Sequence, residues 1–136
     1  MRKFVYVACT AAAIGGGAMT AAPGYAAEPI KSTPTELMTT PLAGDPSREV
    51  KVINVALPPG SDSGRHYHYG DQYTTVQEGE IHIAVEGKGD HVLKAGDALH
   101  IDPMVVHRTQ NMSGKPARTT ELFIVAKGKP LSEKSE

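Results

Sequence analysis

Residues 81–93 read Ile81-His82-Ile83-Ala84-Val85-Glu86-Gly87-Lys88-Gly89-Asp90-His91-Val92-Leu93. In an extended chain Ile81, Ile83 and Val85 fall on one side and His82 and Ala84 on the other, the period-two mark of a half-buried strand. Gly87-Lys88-Gly89-Asp90 then reads as a hairpin turn that sends the chain back through 91–93. The same pattern recurs outward from this hairpin. Residues 49–57 are rich in Val and Ile and stop at Pro58-Pro59-Gly60; residues 72–77 hold Tyr73-Thr74-Thr75-Val76 and close at Glu78-Gly79. Residues 98–101, 105–109 and 119–126 complete the series, and no window of useful length has a helical period. Short strands about every 8–12 residues between Gly and Pro turns predict an all-β sandwich or barrel.

The chain has 136 residues, 40% hydrophobic and 21% charged, with a formal net charge of −1. That length suits one domain able to bury a core without disulfide or metal staples. A balanced charge argues against a nucleic-acid binder, which shows a basic stripe. The composition also excludes a wholly disordered or collagen-like chain. One cysteine rules out both a disulfide framework and a zinc-finger array.

The ends read differently from the middle. Arg2 and Lys3 precede an apolar, alanine-rich run from Phe4 to Ile14, and small residues follow as far as Gly24-Tyr25-Ala26. This is the form of a signal peptide over residues 1–26, cut after Ala26, with Ala22 as the alternative position. Cleavage removes two basic residues and Cys9, leaving a thiol-free protein suited to an oxidising compartment, periplasmic or secreted, with no membrane attachment. Residues 27–48 carry Pro29, Pro34, Pro41 and Pro46, which disfavour a regular helix or a central strand, so an extended arm is expected there. The domain proper is expected over 49–126, with a charged, frayed tail over 127–136.

The chemistry concentrates in two segments. In the first, between Gly60 and Gly79, His66 and His68 are two apart and project to the same side of an extended strand; Gln72 shares their parity. The second runs from Gly96 through Asp97, His100, Asp102 and Pro103 to His107, with Asn111 after it, and brings His107 from another strand. Three neutral imidazoles suit one divalent first-row ion: Fe, Mn, Ni, Cu or Zn.

These segments resemble the two signature motifs of the cupin superfamily. The first, G-x5-H-x-H-x3-E-x6-G, is matched from Gly60 to Gly79 with Gln72 in the glutamate place. The second, G-x5-P-x-G-x2-H-x3-N, is matched at Gly96, His107 and Asn111; Pro103 is displaced by one and Met104 stands where the family has glycine. The resemblance covers residues 50–125 and is similar to small single-domain microbial cupins. It implies a double-stranded β-helix, or jelly roll, with a metal held by His66, His68 and His107, and Gln72 filling the acidic ligand's place. A homodimer is likewise a family-level expectation, and the fold by itself names no activity.

A glutamate ligand would cancel one of a dication's charges and an amide oxygen cancels none, so a site with Gln72 favours an anionic or enolisable oxygen ligand. Gln72 as a hydrogen-bonding neighbour is the open alternative. Thr74, Val76, Met104 and Val106 are expected to line the cavity around a small, mostly apolar molecule. His82, His91 and His100 read as surface or structural, and Asp97 as a turn cap. Tyr67 is expected on the outer face, with Tyr69 or Tyr73 at the rim. The expected function is an exported metal-dependent oxygenase acting on a small organic molecule. A non-catalytic metal- or ligand-binding module is the alternative, and a metal-assisted isomerase or lyase the third option, weakened by the lack of a visible general base near the motifs.

Overall fold

The computed structural model describes residues 28–136, so the expected signal peptide lies outside the described residues. The described chain is all β: β1 (Thr33–Leu42), β2 (Asp45–Leu57), β3 (His66–Tyr67), β4 (Gly70–Glu78), β5 (Glu80–Val85), β6 (Gly89–Lys94), β7 (Ala98–Ile101), β8 (His107–Gln110), β9 (Ala117–Ala126) and β10 (Glu133–Lys134). They form two five-stranded antiparallel sheets, ordered β1-β2-β9-β4-β7 and β10-β3-β8-β5-β6. This is the all-β sandwich that the strand spacing predicts, in the jelly-roll form that the resemblance implies.

Parity decides what lies between the sheets. Ile81, Ile83 and Val85 of β5 are buried, as are Ile53, Val55 and Leu57 of β2, Val76 of β4, Ile101 of β7, and Phe123 and Val125 of β9. The β5–β6 hairpin pairs Val85 with Gly89, as its turn sequence predicts. Asp97 caps the next turn by accepting from the Lys94 amide at 2.8 Å. Asn111, fully buried, donates to the Leu57 and Lys115 carbonyls and accepts from Ser113, so it pins its own loop, between β8 and β9, to the end of β2.

Both ends of the domain differ from expectation. The proline-bearing arm is extended, but most of it is a paired edge strand: β1 pairs only with β2, with register shifts at Glu36/Met38 and Pro41/Leu42, so Pro34 and Pro41 can stand where no second partner needs their missing N–H. The tail is not frayed. Glu133 and Lys134 pair with Tyr67 and His66, and the Ser135 amide donates to the Arg65 carbonyl at 3.0 Å. Strand β3 has only one neighbour in the body of the sheet, and the tail supplies the other through backbone groups that a charged composition does not reveal.

Two backbone positions carry specific constraints. A Cβ on Gly70 would stand 1.9 Å from the Ile124 carbonyl oxygen and 2.7 Å from the Val125 Cα, both backbone atoms of the paired strand β9. Gly70→Ala is therefore expected to cost about 3 kcal/mol, read by urea unfolding. Met104 is the one non-glycine residue with a left-handed backbone among those described, at φ 64°, which accounts for glycine in that place of the motif. Its exposed side chain makes little compensating contact, so Met104→Gly is expected to raise stability by about 1 kcal/mol in the same assay.

Candidate metal centre

Pairing in the second sheet puts His66 directly opposite His107, so the two imidazoles emerge side by side on the inner face. His68 follows two residues after His66 and approaches both. Ring centroids are 4.3 Å apart for His66–His107, 5.0 Å for His66–His68 and 5.1 Å for His68–His107. Each ring offers one nitrogen to a cluster in which all three lie within 4.8 Å of one another.

The second nitrogen of each ring is occupied. The Nδ1 atoms of His66, His68 and His107 sit 3.0, 2.6 and 3.0 Å from the carbonyl oxygens of Gly64, Leu131 and Val105. A carbonyl only accepts, so each Nδ1 carries the proton and each Nε2 keeps its lone pair. The Nε2 atoms of His68 and His107 and the Oε1 of Gln72 are buried with no hydrogen-bond partner. Buried polar atoms are almost always paired, so unpartnered atoms beside three clustered ring nitrogens fit a cation. The donor set therefore fits a metal ion: three neutral imidazoles in the tautomer that ligation requires.

Burial also makes these imidazoles resist protonation. Desolvation lowers His66 from its ordinary 6.5 and carries His68 and His107 down to about 4; hydrogen bonds to backbone carbonyls oppose the shift and neighbouring histidines add to it. In the metal-free protein the unfolded chain takes up these protons near pH 6.5 and the folded chain does not until about pH 4. Stability present above pH 6.5 is thus expected to fall progressively toward pH 4. Thermal unfolding across that range reads it, and His68→Gln should flatten the slope.

The site opens on a cavity of about 690 Å³ whose wall includes His66, His68, Gln72, Glu121, Phe123 and Leu131. Of the four residues expected to line it, none does. Thr74 and Val76 point inward but are buried in the packed level of β4, Met104 is exposed, and Val106 faces a separate depression of about 240 Å³ with His107 and Arg108. Parity tells inward from outward but not which inward level is filled. The wall is apolar at Ile53, Val55, Leu57 and Phe123, and the mouth carries Lys31, Arg65 and Lys134.

Glu121 was not among the expected site residues. It accepts from Thr119 Oγ1 at 3.2 Å and from Gln72 Nε2 at 3.3 Å, and burial, offset by those bonds, raises its carboxyl to about 7. Its signal in the sequence is parity: it lies in phase with the buried Thr119, Phe123 and Val125 of β9, a carboxylate on the apolar face. Asp62, the other carboxylate on the cavity wall, is held ionised by Arg108 and lies below its usual range. Arg65 pairs outward with Glu86 at 2.9 Å.

A second group, Asp71, His100 and Asp102, lies on the outside. Asp71 faces His100 Nε2 at 2.9 Å while Asp102 lies 3.9 Å from Nδ1, and Arg48 and Lys88 already pair with the two carboxylates. The carboxylates flank opposite nitrogens, so this is an ion-pair chain. Tyr73 stacks on His100 at 4.7 Å, on the outer face and away from the cavity rim. Tyr67 and Tyr69 pack edge to face at 5.7 Å.

The Cupin domain family matches this chain over residues 53–125. Among curated proteins the chain is similar to the HTH-type transcriptional regulator PuuR of Escherichia coli (strain K12), 35% identical over 71 residues, 52% of this chain and 38% of that one. The chain thus spans about two fifths of the length of the curated relative it matches. Among solved structures it is similar to the DMSP lyase DddQ from Ruegeria pomeroyi DSS-3, with TM-score 0.64 and 16% identity over 77% of this chain and 52% of that one. It is also similar to a recombinant oxalate oxidase in complex with glycolate, with TM-score 0.63 and 22% identity over 79% of this chain and 56% of that one. At such identities these two likenesses concern the fold alone.

Proposed function

This chain belongs to the cupin family, and from that premise we propose that it is an exported metal-dependent oxygenase acting on a small, largely apolar organic molecule with an ionisable oxygen. The observation that carries the reading is the set of three imidazoles whose Nδ1 atoms are all bound to carbonyls, leaving three ring nitrogens clustered together, with His66 and His68 on the cavity wall and His107 buried beside them. A divalent first-row ion held by His66, His68 and His107 would supply Lewis acidity and, for iron, manganese or copper, a redox centre.

The chain's own residues supply the rest. Phe123, Ile53, Val55, Leu57 and Leu131 hold the apolar body and exclude water. Three imidazoles and an amide leave a dication's charge uncancelled, which favours a substrate oxygen that can ionise. Glu121 is the cavity carboxylate with no cationic partner, and it holds the Gln72 amide through Nε2. Export is supported by the leader-like sequence of residues 1–26. A homodimer is supported by the outer face of the first sheet. There Met38, Val52, Leu122 and Tyr73 align in register across four strands with no covering layer among the described residues.

A second reading, a ligand-binding module without turnover, is favoured by the likeness to a transcriptional regulator. Metal analysis of untagged mature protein separates the cases. Near-stoichiometric metal is expected, and loss of it in a His66→Ala/His107→Ala variant. Oxygen uptake with a panel of diketones, phenols and flavonoids is then expected for the metal-loaded protein. Metal and ligand binding without uptake would favour the module, and a parent that stays empty after reconstitution with each ion would sink both metal readings.

A further inference from the structure

Gln72 and Glu121 are diagonal neighbours on the inner face of the first sheet, since Gln72 pairs with Phe123 and Thr74 with Glu121. Gln72 Nε2 donates to Thr74 Oγ1 at 3.1 Å and to Glu121 Oε2 at 3.3 Å. Thr119 Oγ1 holds the other carboxylate oxygen at 3.2 Å. The two partners of the amide are not equivalent. A hydroxyl both donates and accepts, so Thr74 tolerates either end of the amide, whereas an ionised carboxylate accepts only. Glu121 therefore dictates that the NH₂ end faces it and that the oxygen turns the other way. That oxygen is buried without a hydrogen-bond partner, and the amide faces the His68 ring, whose own Nε2 is buried and unpartnered.

We propose that Glu121 is a positioning residue that locks the Gln72 amide with its oxygen toward the three imidazoles, making Oε1 the fourth neutral donor of the metal site. The inference rests on the metal reading above and concerns only how the fourth position is formed. With the amide reversed, two N–H groups would point at the cation and repel it. The carboxylate thus acts one residue removed from the ion, through the amide that separates them. It sets the polarity of the site without cancelling the ion's charge.

Co(II) is the probe, because its visible spectrum reports the number and type of its ligands. Affinity and spectrum are measured at mildly alkaline pH for the parent, Gln72→Ala, Glu121→Gln and the double variant. Glu121→Gln is expected to weaken Co(II) binding about tenfold, the usual scale for removing a group that orients a ligand. It should also move the spectrum to that of Gln72→Ala, and it should change nothing further when Gln72 is already alanine. Parent-like affinity and spectrum in Glu121→Gln, or an equal loss in both backgrounds, overturns the inference while leaving the metal reading standing. A parent that binds no Co(II) overturns both. Glu121→Ala is a second variant, expected to give the same displacement if Glu121→Gln does not fold.

Discussion

Three imidazoles are buried against one another at one end of a β-sandwich, and no hydrocarbon packing satisfies them. Each ring has two nitrogens, and the fold provides a backbone carbonyl for one of them, from Gly64, Leu131 and Val105. Leaving a buried polar atom unpaired costs about 1–3 kcal/mol, and two of the remaining nitrogens, with the Gln72 oxygen, are left so. The rest of the sandwich has to hold this arrangement against its tendency to hydrate or protonate. A dozen buried apolar residues, from Ile53 to Val125, provide the rigid wall that does so.

The carbonyls come from parts of the chain far apart in sequence. Gly64 lies on the loop before β3, and Val105 just before β8. Leu131 belongs to the C-terminal segment, brought home by the pairing of β10 with β3. The terminal segment therefore orients the central histidine and closes the edge of its sheet. At the opposite sheet, Thr119 and Glu121 order the Gln72 amide. The ligand candidates are thus held from both sheets at once.

Charge is distributed with the same division. Asp62, Asp71 and Asp102 each face a cationic side chain at the surface. Glu121 faces only neutral donors inside. Its carboxyl titrates near neutrality because burial works against its charge, while the surface aspartates are paired with arginine or lysine. One carboxylate in the cavity is thereby set apart chemically from those on its surroundings.

Local pattern determined a good deal. The alternation of Ile81, Ile83 and Val85, and the turns after 85, 94 and 57, are written in neighbouring residues, because strand parity and turn chemistry depend only on neighbours. The three histidines were legible for the same reason, since His66 and His68 share parity and His107 stands at a fixed place in a second motif. Three things needed the tertiary structure. Whether an inward residue meets hydrocarbon or hollow depends on the opposite sheet, so Thr74 and Val76 proved to be packed while Ile53 and Val55 face the cavity. Glu121 gains its meaning only from lying across β4 from Gln72, about fifty residues away in the chain. The C-terminal segment is ordered by backbone hydrogen bonds, which are the same for every composition, and so its lysines and glutamates could not announce it.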